Sequence, residues 1–399
     1  MNLWKKLTVR KIKPELAQDL LDKTQREIEK MPPINILVAG KTGSGKSTLI
    51  NALFRETIAE TGVGLPITQS LVKLTKDGVP LTLYDTRGLE LDASVQQDVQ
   101  QLLLDLIHEQ RLQEERHHIH LVYYCLNANG SRIEPFEIEL IQTLASQVPV
   151  VLVLTQAIGQ EHHEFAQYLQ TLPLNVQAIV PILAKDYALQ KRQVVSAFGL
   201  QTLIDKTLEI IPSEVHQAFI NAQQIDLEKK VESARSWARK YVSSAFGVGF
   251  LPIPIADATL LIPMQITMLG HLTAIFGLSL DLSQVISLLA GLGGTGGATL
   301  VGRFFVGSLF KLIPGLGGVS GGILTGATAS TLTVTLGYSY IEVLRYIAKA
   351  EMLGQTVRLK RLQHLMNQSF EAHLSQISNL LPADIKSNLP EWFQEFIQK

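Results

Sequence analysis

A single cysteine, Cys125, stands among 399 residues. One thiol excludes an internal disulfide framework and a thiolate metal cluster, which suits a reducing compartment. The chain also lacks an excess of either charge. Its 35 basic and 36 acidic side chains leave a net charge of −1, so there is no electrostatic case for binding nucleic acid. An apolar secretory core is missing from Met1 to Lys13, which is basic and interrupted by polar residues. Together these absences predict a cytoplasmic protein. The most uneven shortage is of charge itself. Between Tyr241 and Ile341 only Asp257, Asp281, Arg303 and Lys311 are charged, and the same stretch holds 18 of the 29 glycines. A chain of 399 residues has room for two domains, and this change of composition divides it.

What is present in the first part is a complete phosphate-binding pattern. Gly40-Lys41-Thr42-Gly43-Ser44-Gly45-Lys46-Ser47 reads G-x-x-x-x-G-K-[ST], after an apolar run from Ile34 to Ala39 and before a helical pattern from Thr48 to Phe54. Glycines let successive backbone N–H groups curl around a phosphate. A lysine at position 46 reaches the β- and γ-phosphates, and the Ser47 hydroxyl can hold Mg²⁺. The helix that starts here adds its positive end.

Downstream, near-continuous apolar strands alternate with helices. Strands are expected at Leu71 to Thr75, Leu81 to Asp85, Ile119 to Leu126, Val148 to Thr155 and Val176 to Leu183. Helices are expected at Ala93 to Leu112, Pro135 to Ala145 and Gly199 to Ile211. This predicts an α/β domain with a mostly parallel sheet covered on both faces, and nucleotide at the C-terminal strand ends. One strand ends in Asp85-Thr86-Arg87-Gly88, a D-x-x-G about 40 residues beyond the phosphate loop. Asp85 there can hold Mg²⁺, and Gly88 can offer its N–H to a γ-phosphate whose loss releases the loop. Glu60 to Ser70 reads as an unpatterned switch loop, with Thr68 as a candidate Mg²⁺ ligand and Thr61 as its rival.

These motifs resemble those of the Era/TrmE-like small GTPases over roughly residues 33 to 212: Gly40 to Ser47 the first, Pro66-Ile67-Thr68 the second and Asp85 to Gly88 the third. The resemblance implies a G domain that binds GTP and GDP with Mg²⁺ held by Ser47, Thr68 and Asp85, and with Thr48 beside the phosphates. The family's guanine-reading [NT]-K-x-D is met by Thr155-Gln156-Ala157-Ile158, which keeps Thr155 but puts Gln156 for lysine and Ile158 for aspartate. Ala184-Lys185 is similar to the fifth motif, with Leu183 in place of serine. Loss of the two-bonded acceptor predicts weakened guanine selection unless a group such as Glu161 substitutes. Leu89 follows Gly88 where Ras-like proteins carry a water-orienting glutamine, and Gly43 stands where potassium-stimulated relatives carry asparagine. No catalytic residue is identified, and slow intrinsic hydrolysis is expected.

The remaining chain predicts an all-α hydrophobic domain. Ser213 to Val242 reads as one long polar helix, Leu344 to Leu380 as a helix of mixed charge, and Pro14 to Lys30 as an amphipathic helix packed on a core or a membrane surface. The uncharged run Leu312 to Ile341 is 30 residues, and a helix of roughly 20 spans a hydrocarbon core. The pairs Gly293/Gly297, Gly317/Gly321, Gly318/Gly322 and Gly322/Gly326 permit close helix approach in lipid. With its Pro252 to Asp257 stretch, the region resembles a hydrophobic domain fused to Era-like GTPases in bacteria, a resemblance that implies a membrane-linked helical module. The expected division is an N-terminal amphipathic helix over 1–32, a G domain over 33–212, a polar linker helix over 213–240, a Gly-rich membrane-associated domain over 241–349 and a helical segment over 350–399. The expected function is a GTP-dependent switch whose helical domain engages a membrane or a partner, placed at the cytoplasmic face of a membrane, with a nucleotide-dependent homodimer among its forms. The rival to membrane association is a compact soluble helical domain. The alternatives are a dynamin-like remodelling GTPase and a non-hydrolysing nucleotide-binding scaffold. His117, His118, His120, His162 and His163 lack carboxylates at ligand spacing and are not read as a metal site.

Overall fold

The computed structural model describes residues 14–54, 63–67, 71–76, 78–86, 96–190, 193–246, 258–278 and 326–379. Thr61, Thr68, Gly88 and Leu89, the Pro252 to Asp257 stretch and all but Gly326 of the paired glycines lie outside these residues. The chain divides into two compact units. One is Glu29–Asp226, and the other joins the segment up to Ile28 with everything from Leu227 onward.

The first unit is built on a seven-stranded sheet of order β2-β3-β4-β1-β5-β6-β7 among the described residues. Its strands are β1 Ile34–Ala39, β2 Val63–Pro66, β3 Leu71–Lys76, β4 Val79–Thr86, β5 Leu121–Asn127, β6 Val150–Thr155 and β7 Ala178–Pro181. The β2-β3-β4 edge is antiparallel, and β4-β1-β5-β6-β7 is parallel. Every residue of β1 and β6 is buried, as strands covered on both faces require. On one face lie α3 Gln96–Arg111, α4 Pro135–Ala145 and α5 Glu161–Thr171, packing Leu103, Leu140 and Phe165 against Val122, Tyr124 and Leu152. The opposite face carries α6 Leu200–Ile210, where Tyr123 Oη and Thr207 Oγ1 pair at 2.7 Å. From β1 the chain first builds outward to β2, β3 and β4, then returns to place β5 on the other side. The crevice between β1 and β5 is therefore the topological switch point.

Local structure departs from or adds to the expected elements. Val63–Pro66, inside the expected switch loop, is an edge strand paired to β3. A short hairpin, β8 Tyr187–Gln190 with β9 Gln193–Val195, precedes α6. The long helix expected from Ser213 is broken: α7 His216–Ala222 ends before α8 Leu227–Phe246 begins. Gln223 makes the break. Its side chain donates to Asp226 O at 3.0 Å and accepts the Asp226 N–H at 2.7 Å, replacing helical bonds. Gln224 Nε2 then reaches the carbonyls of Asn51, Ala52 and Phe54 at 3.0, 3.0 and 3.1 Å. These lie at the C-terminal end of α2 Lys46–Leu53, the helix that follows the phosphate loop.

The second unit is helical: α1 Pro14–Glu29, α8, α9 Ala258–Phe276, α10 Gly326–Met352 and α11 Leu359–Asn379. The helix expected from Leu344 to Leu380 is two helices joined by a tight turn. Small residues allow close crossings. A Cβ on Gly270 would stand 2.9 Å from Lys23 Cβ of α1, and one on Gly337 would stand 3.2 Å from Ala238 Cβ of α8. Among the described residues no helix is long and apolar enough to cross a membrane. The charge-free run expected to have spanning length enters α10 at Gly326. From there its Thr331, Thr333, Thr335 and Ser339 side chains are buried, with Thr335 and Ser339 bonded to the carbonyls four residues before them. This part of the run faces protein.

Candidate nucleotide-binding site

The phosphate loop leaves β1 at the crevice and turns on three glycines with positive φ: Gly40 at 136°, Gly43 at 78° and Gly45 at 84°. At Gly40 no side chain fits, since a Cβ would meet the Cys125 carbonyl of β5 at 2.4 Å. Gly45 caps α2 without any side-chain bond, and a Cβ there would press on Thr155 at 3.0 Å. At Gly43 a Cβ would meet nothing within 4 Å, so the loop is open at that point.

Lys46 begins α2, and its ammonium is buried. It donates to Gly40 O at 2.7 Å and Lys41 O at 2.8 Å. Burial holds its pKa below the ordinary lysine value, and the nearby Asp85 charge partly restores it. Asp85 is buried on β4, in register with Val38 on β1. Ser44 Oγ is buried and has no hydrogen-bond partner among the described residues. Ser47 and Thr48 are exposed on the first turn of α2. The glycine turns, the folded-back ammonium, the uncapped helix start and the unsatisfied Ser44 hydroxyl fit a polyphosphate. Ser47 and Asp85 are the hard oxygen donors that Mg²⁺ prefers.

The fourth motif packs against the first. Thr155 Oγ1 donates to Ser44 O at 2.6 Å and also approaches Leu126 O at 3.2 Å. Gln156 sits at a φ of 54°, and its amide donates to Gly43 O at 3.3 Å. These two residues therefore brace the phosphate loop. Ile158 is half-buried in the loop that follows, and Lys185 is exposed beyond β7. The Glu161 carboxylate lies against Gly159, within 2.2 Å of where a Cβ would be.

One part of the site has no counterpart in the motif pattern. Lys41 Nζ lies 2.6 Å from Glu134 and 3.0 Å from Glu137, whose side chains are 54% and 2% exposed. Glu137 also accepts the Glu134 N–H at 3.1 Å, the return half of a capping box at the start of α4, and lies 3.4 Å from Tyr124 Oη. Burial alone would lower the Lys41 pKa, but the two carboxylates outweigh it and raise it. Glu134-Pro135-Phe136-Glu137 announces a helix start. Nothing in that pattern announces contact with a loop almost a hundred residues earlier.

Two of the histidines, His120 and His162, have partners within the fold. His120 Nδ1 accepts the Asn35 N–H at 3.0 Å, and His162 stacks on His163 at 4.0 Å.

Two family models match the chain. Residues 35–156 match the family described as 50S ribosome-binding GTPase, and residues 214–372 match a domain of unknown function, DUF697. Septin-12 of Homo sapiens is 32% identical over 169 residues, which cover 36% of this chain and 47% of septin-12. GTPase Der of Dinoroseobacter shibae is 37% identical over 75 residues, which cover 18% of this chain and 15% of Der. The chain thus spans less than half the length of these relatives. A solved structure described as a probable GTP-binding protein engB shares 16% identity at a TM-score of 0.33, over 44% of this chain and 97% of that one. With its phosphate loop, D-x-x-G strand and family matches, the chain carries a G domain of the Era- and Der-like GTPase family, followed by a DUF697 domain.

Proposed function

We propose that the first unit binds GTP and GDP with Mg²⁺ and hydrolyses GTP slowly, and that nucleotide state governs how the helical unit engages a membrane surface from the cytoplasmic side. The observation that carries the nucleotide reading is Lys46, a buried ammonium held over the loop by two carbonyls at the start of an uncapped helix. There it supplies a fixed positive charge for phosphate oxygens in a partly water-excluded place. Gly40 to Ser47 surround the phosphates, Thr48 extends the same helix turn, and Ser47 and Asp85 hold the metal. Thr68 and the Gly88 N–H complete the set in this proposal. Bound Mg²⁺ would neutralise charge on the phosphate oxygens and polarise the terminal phosphoryl group. Thr155 and Gln156 keep the loop in shape, and Lys185 stands near the base. With Leu89 after Gly88, no side chain is assigned to orient water, which is why hydrolysis is slow.

Titration of the full chain with GTP, GDP and ATP in Mg²⁺ is the test. Both guanine nucleotides bind, and ATP binds more weakly. Equal affinity for ATP overturns the choice of base, and no binding of any of the three overturns the site.

A further inference from the structure

The turn between α10 and α11 combines solvated cations with exposed apolar side chains. The first feature is cationic. An open basin of about 560 Å³ is lined by Tyr346, Thr356, Arg358, Lys360, Arg361 and His364. From Lys349 to His364 the chain has four Lys or Arg residues and one acid, Glu351. Arg358, Lys360 and Arg361 are exposed. Among the described residues the ion pairs of this unit, Arg235 with Glu342, Arg345 with Glu228 and Glu342, and His271 with Glu27, leave these three out. Their charge is therefore available at the surface, beside the positive end of α11.

The second feature is apolar. Met352 and Leu353, where α10 ends, are 44% and 59% exposed. Their position is set by the turn. Gly354 adopts a φ of 62°, the Gln355 N–H donates to Ala350 O at 2.8 Å, and the Gly354 N–H donates to Glu351 O at 3.0 Å. That is the double closure of a Schellman turn. An apolar residue commonly covers the helix end from the position that Gln355 occupies, and Gln355 is polar and exposed. The turn thus presents two large apolar side chains on a fixed backbone, flanked by solvated cations.

We propose that this turn docks the helical unit on an anionic lipid surface. Met352 and Leu353 enter the boundary between headgroups and acyl chains, and Arg358, Lys360 and Arg361 take headgroup phosphates. An apolar layer just beneath a sheet of negative charge matches this arrangement in both chemistry and order. The basin is open and lined by several cations, which suits a surface of many headgroups better than one enclosed phosphate group. The proposal rests on the membrane engagement proposed above and gives it an address outside the glycine-rich run.

The test is co-sedimentation of the full chain with vesicles of phosphatidylcholine alone, and of phosphatidylcholine and phosphatidylserine in equal parts. Binding is expected to the anionic vesicles only, and to weaken as salt is added. Replacing Arg358, Lys360 and Arg361 together by glutamine lowers the partition coefficient on the order of 100-fold, since each cation at such a surface contributes about a factor of five. Met352→Ser with Leu353→Ser weakens binding at every salt concentration. The changed residues are exposed, and the salt titration of the unaltered chain reads the same electrostatic contribution without any variant. Binding to both vesicle types that the triple variant leaves intact overturns this site while membrane engagement stands. Absence of binding to either vesicle overturns both. Binding of a phosphorylated peptide or of inorganic phosphate, without vesicle binding, replaces the lipid with another anion and overturns the proposal.

Discussion

In the G unit, the polar groups of the nucleotide site gather where the strands of a mainly apolar sheet end. In the helical unit polar groups are spread through the packing. The strands β1 and β6 are buried along their whole length, and Lys46, Asp85 and Thr155 cluster where β1, β4 and β6 end. In the helical unit Gln265 bonds Thr333 at 3.1 Å, Thr273 bonds Tyr340 at 2.8 Å, and the 1% exposed Lys230 donates to Phe276 O at 3.1 Å. A parallel sheet satisfies its own backbone and needs no side-chain polarity inside, so polar residues are free to assemble at its mouth. Helices crossing on small residues leave hydroxyls and helix ends between them, and those must bond one another. The lesson is where to look for function: at the strand ends in one unit, and on the outer turns in the other.

The comparison predicts that single changes at the strand ends hurt binding, while single changes among the helices hurt stability. The largest effect is expected for Lys46→Ala. It removes charge-assisted bonds to phosphate and lowers GTP affinity by at least about 100-fold. Calorimetric titration of the folded variant reads it, and unchanged affinity would remove the phosphate loop from the site. Next is Glu137. Glu137→Ala strips a buried carboxylate from Lys41 and costs about 3 kcal/mol of stability by urea unfolding, with a loss of GTP affinity as the loop loosens. Glu134→Ala removes the exposed partner and costs under about 1 kcal/mol. Equal costs for the two would mean that burial does not decide which carboxylate holds the loop.

Lys230 probes the other side. Lys230→Ala leaves the end of α9 without its ammonium and opens a cavity, at a cost of about 2–4 kcal/mol. Lys230→Met keeps the stem and costs roughly half as much. Neither changes GTP affinity. A drop in affinity would show that polar bonds inside the bundle also serve the nucleotide site, and the contrast between the units would fail.

The sequence made the nucleotide side legible because its signals are local. Eight consecutive residues define the phosphate loop, and unbroken apolar runs mark the strands of a covered sheet. Wherever a long-range bond or a tolerated exception decides the structure, reading failed. Val63-Gly64-Leu65-Pro66 carries the glycine and proline of a loop, but an edge strand accepts both. Ser213 to Val242 keeps helical composition throughout, but Gln223 satisfies the chain sideways and Gln224 ties it to α2. Leu344 to Leu380 likewise hides a turn whose one sign is Gly354. Lys41 with Glu137, the pair that braces the site, joins residues that no spacing rule connects.

The smallest expected effect concerns pH. His120 lies where the chain enters β5, and its Nδ1 accepts the Asn35 N–H from β1 at 3.0 Å. Burial lowers its pKa from the ordinary 6.5, with a smaller push the same way from His118, and outweighs the raising influence of the Asn35 backbone. A group whose pKa is lower folded than unfolded stabilises the fold above the unfolded value and loses that contribution as pH falls. The loss begins near 6.5 and is complete below the folded pKa, because a protonated ring can no longer accept from Asn35. His162 and His373 are also lowered by burial, so the whole chain weakens in acid for more than one reason. A variant isolates this one. His120→Asn places an amide oxygen near the Nδ1 position and does not titrate. Its stability relative to the unaltered chain should rise by about 1 kcal/mol, one hydrogen bond, between neutral pH and the acid side of the transition. Urea unfolding across that range measures the difference. A constant offset at every pH would show that His120 packs between β1 and β5 without its proton counting in the fold.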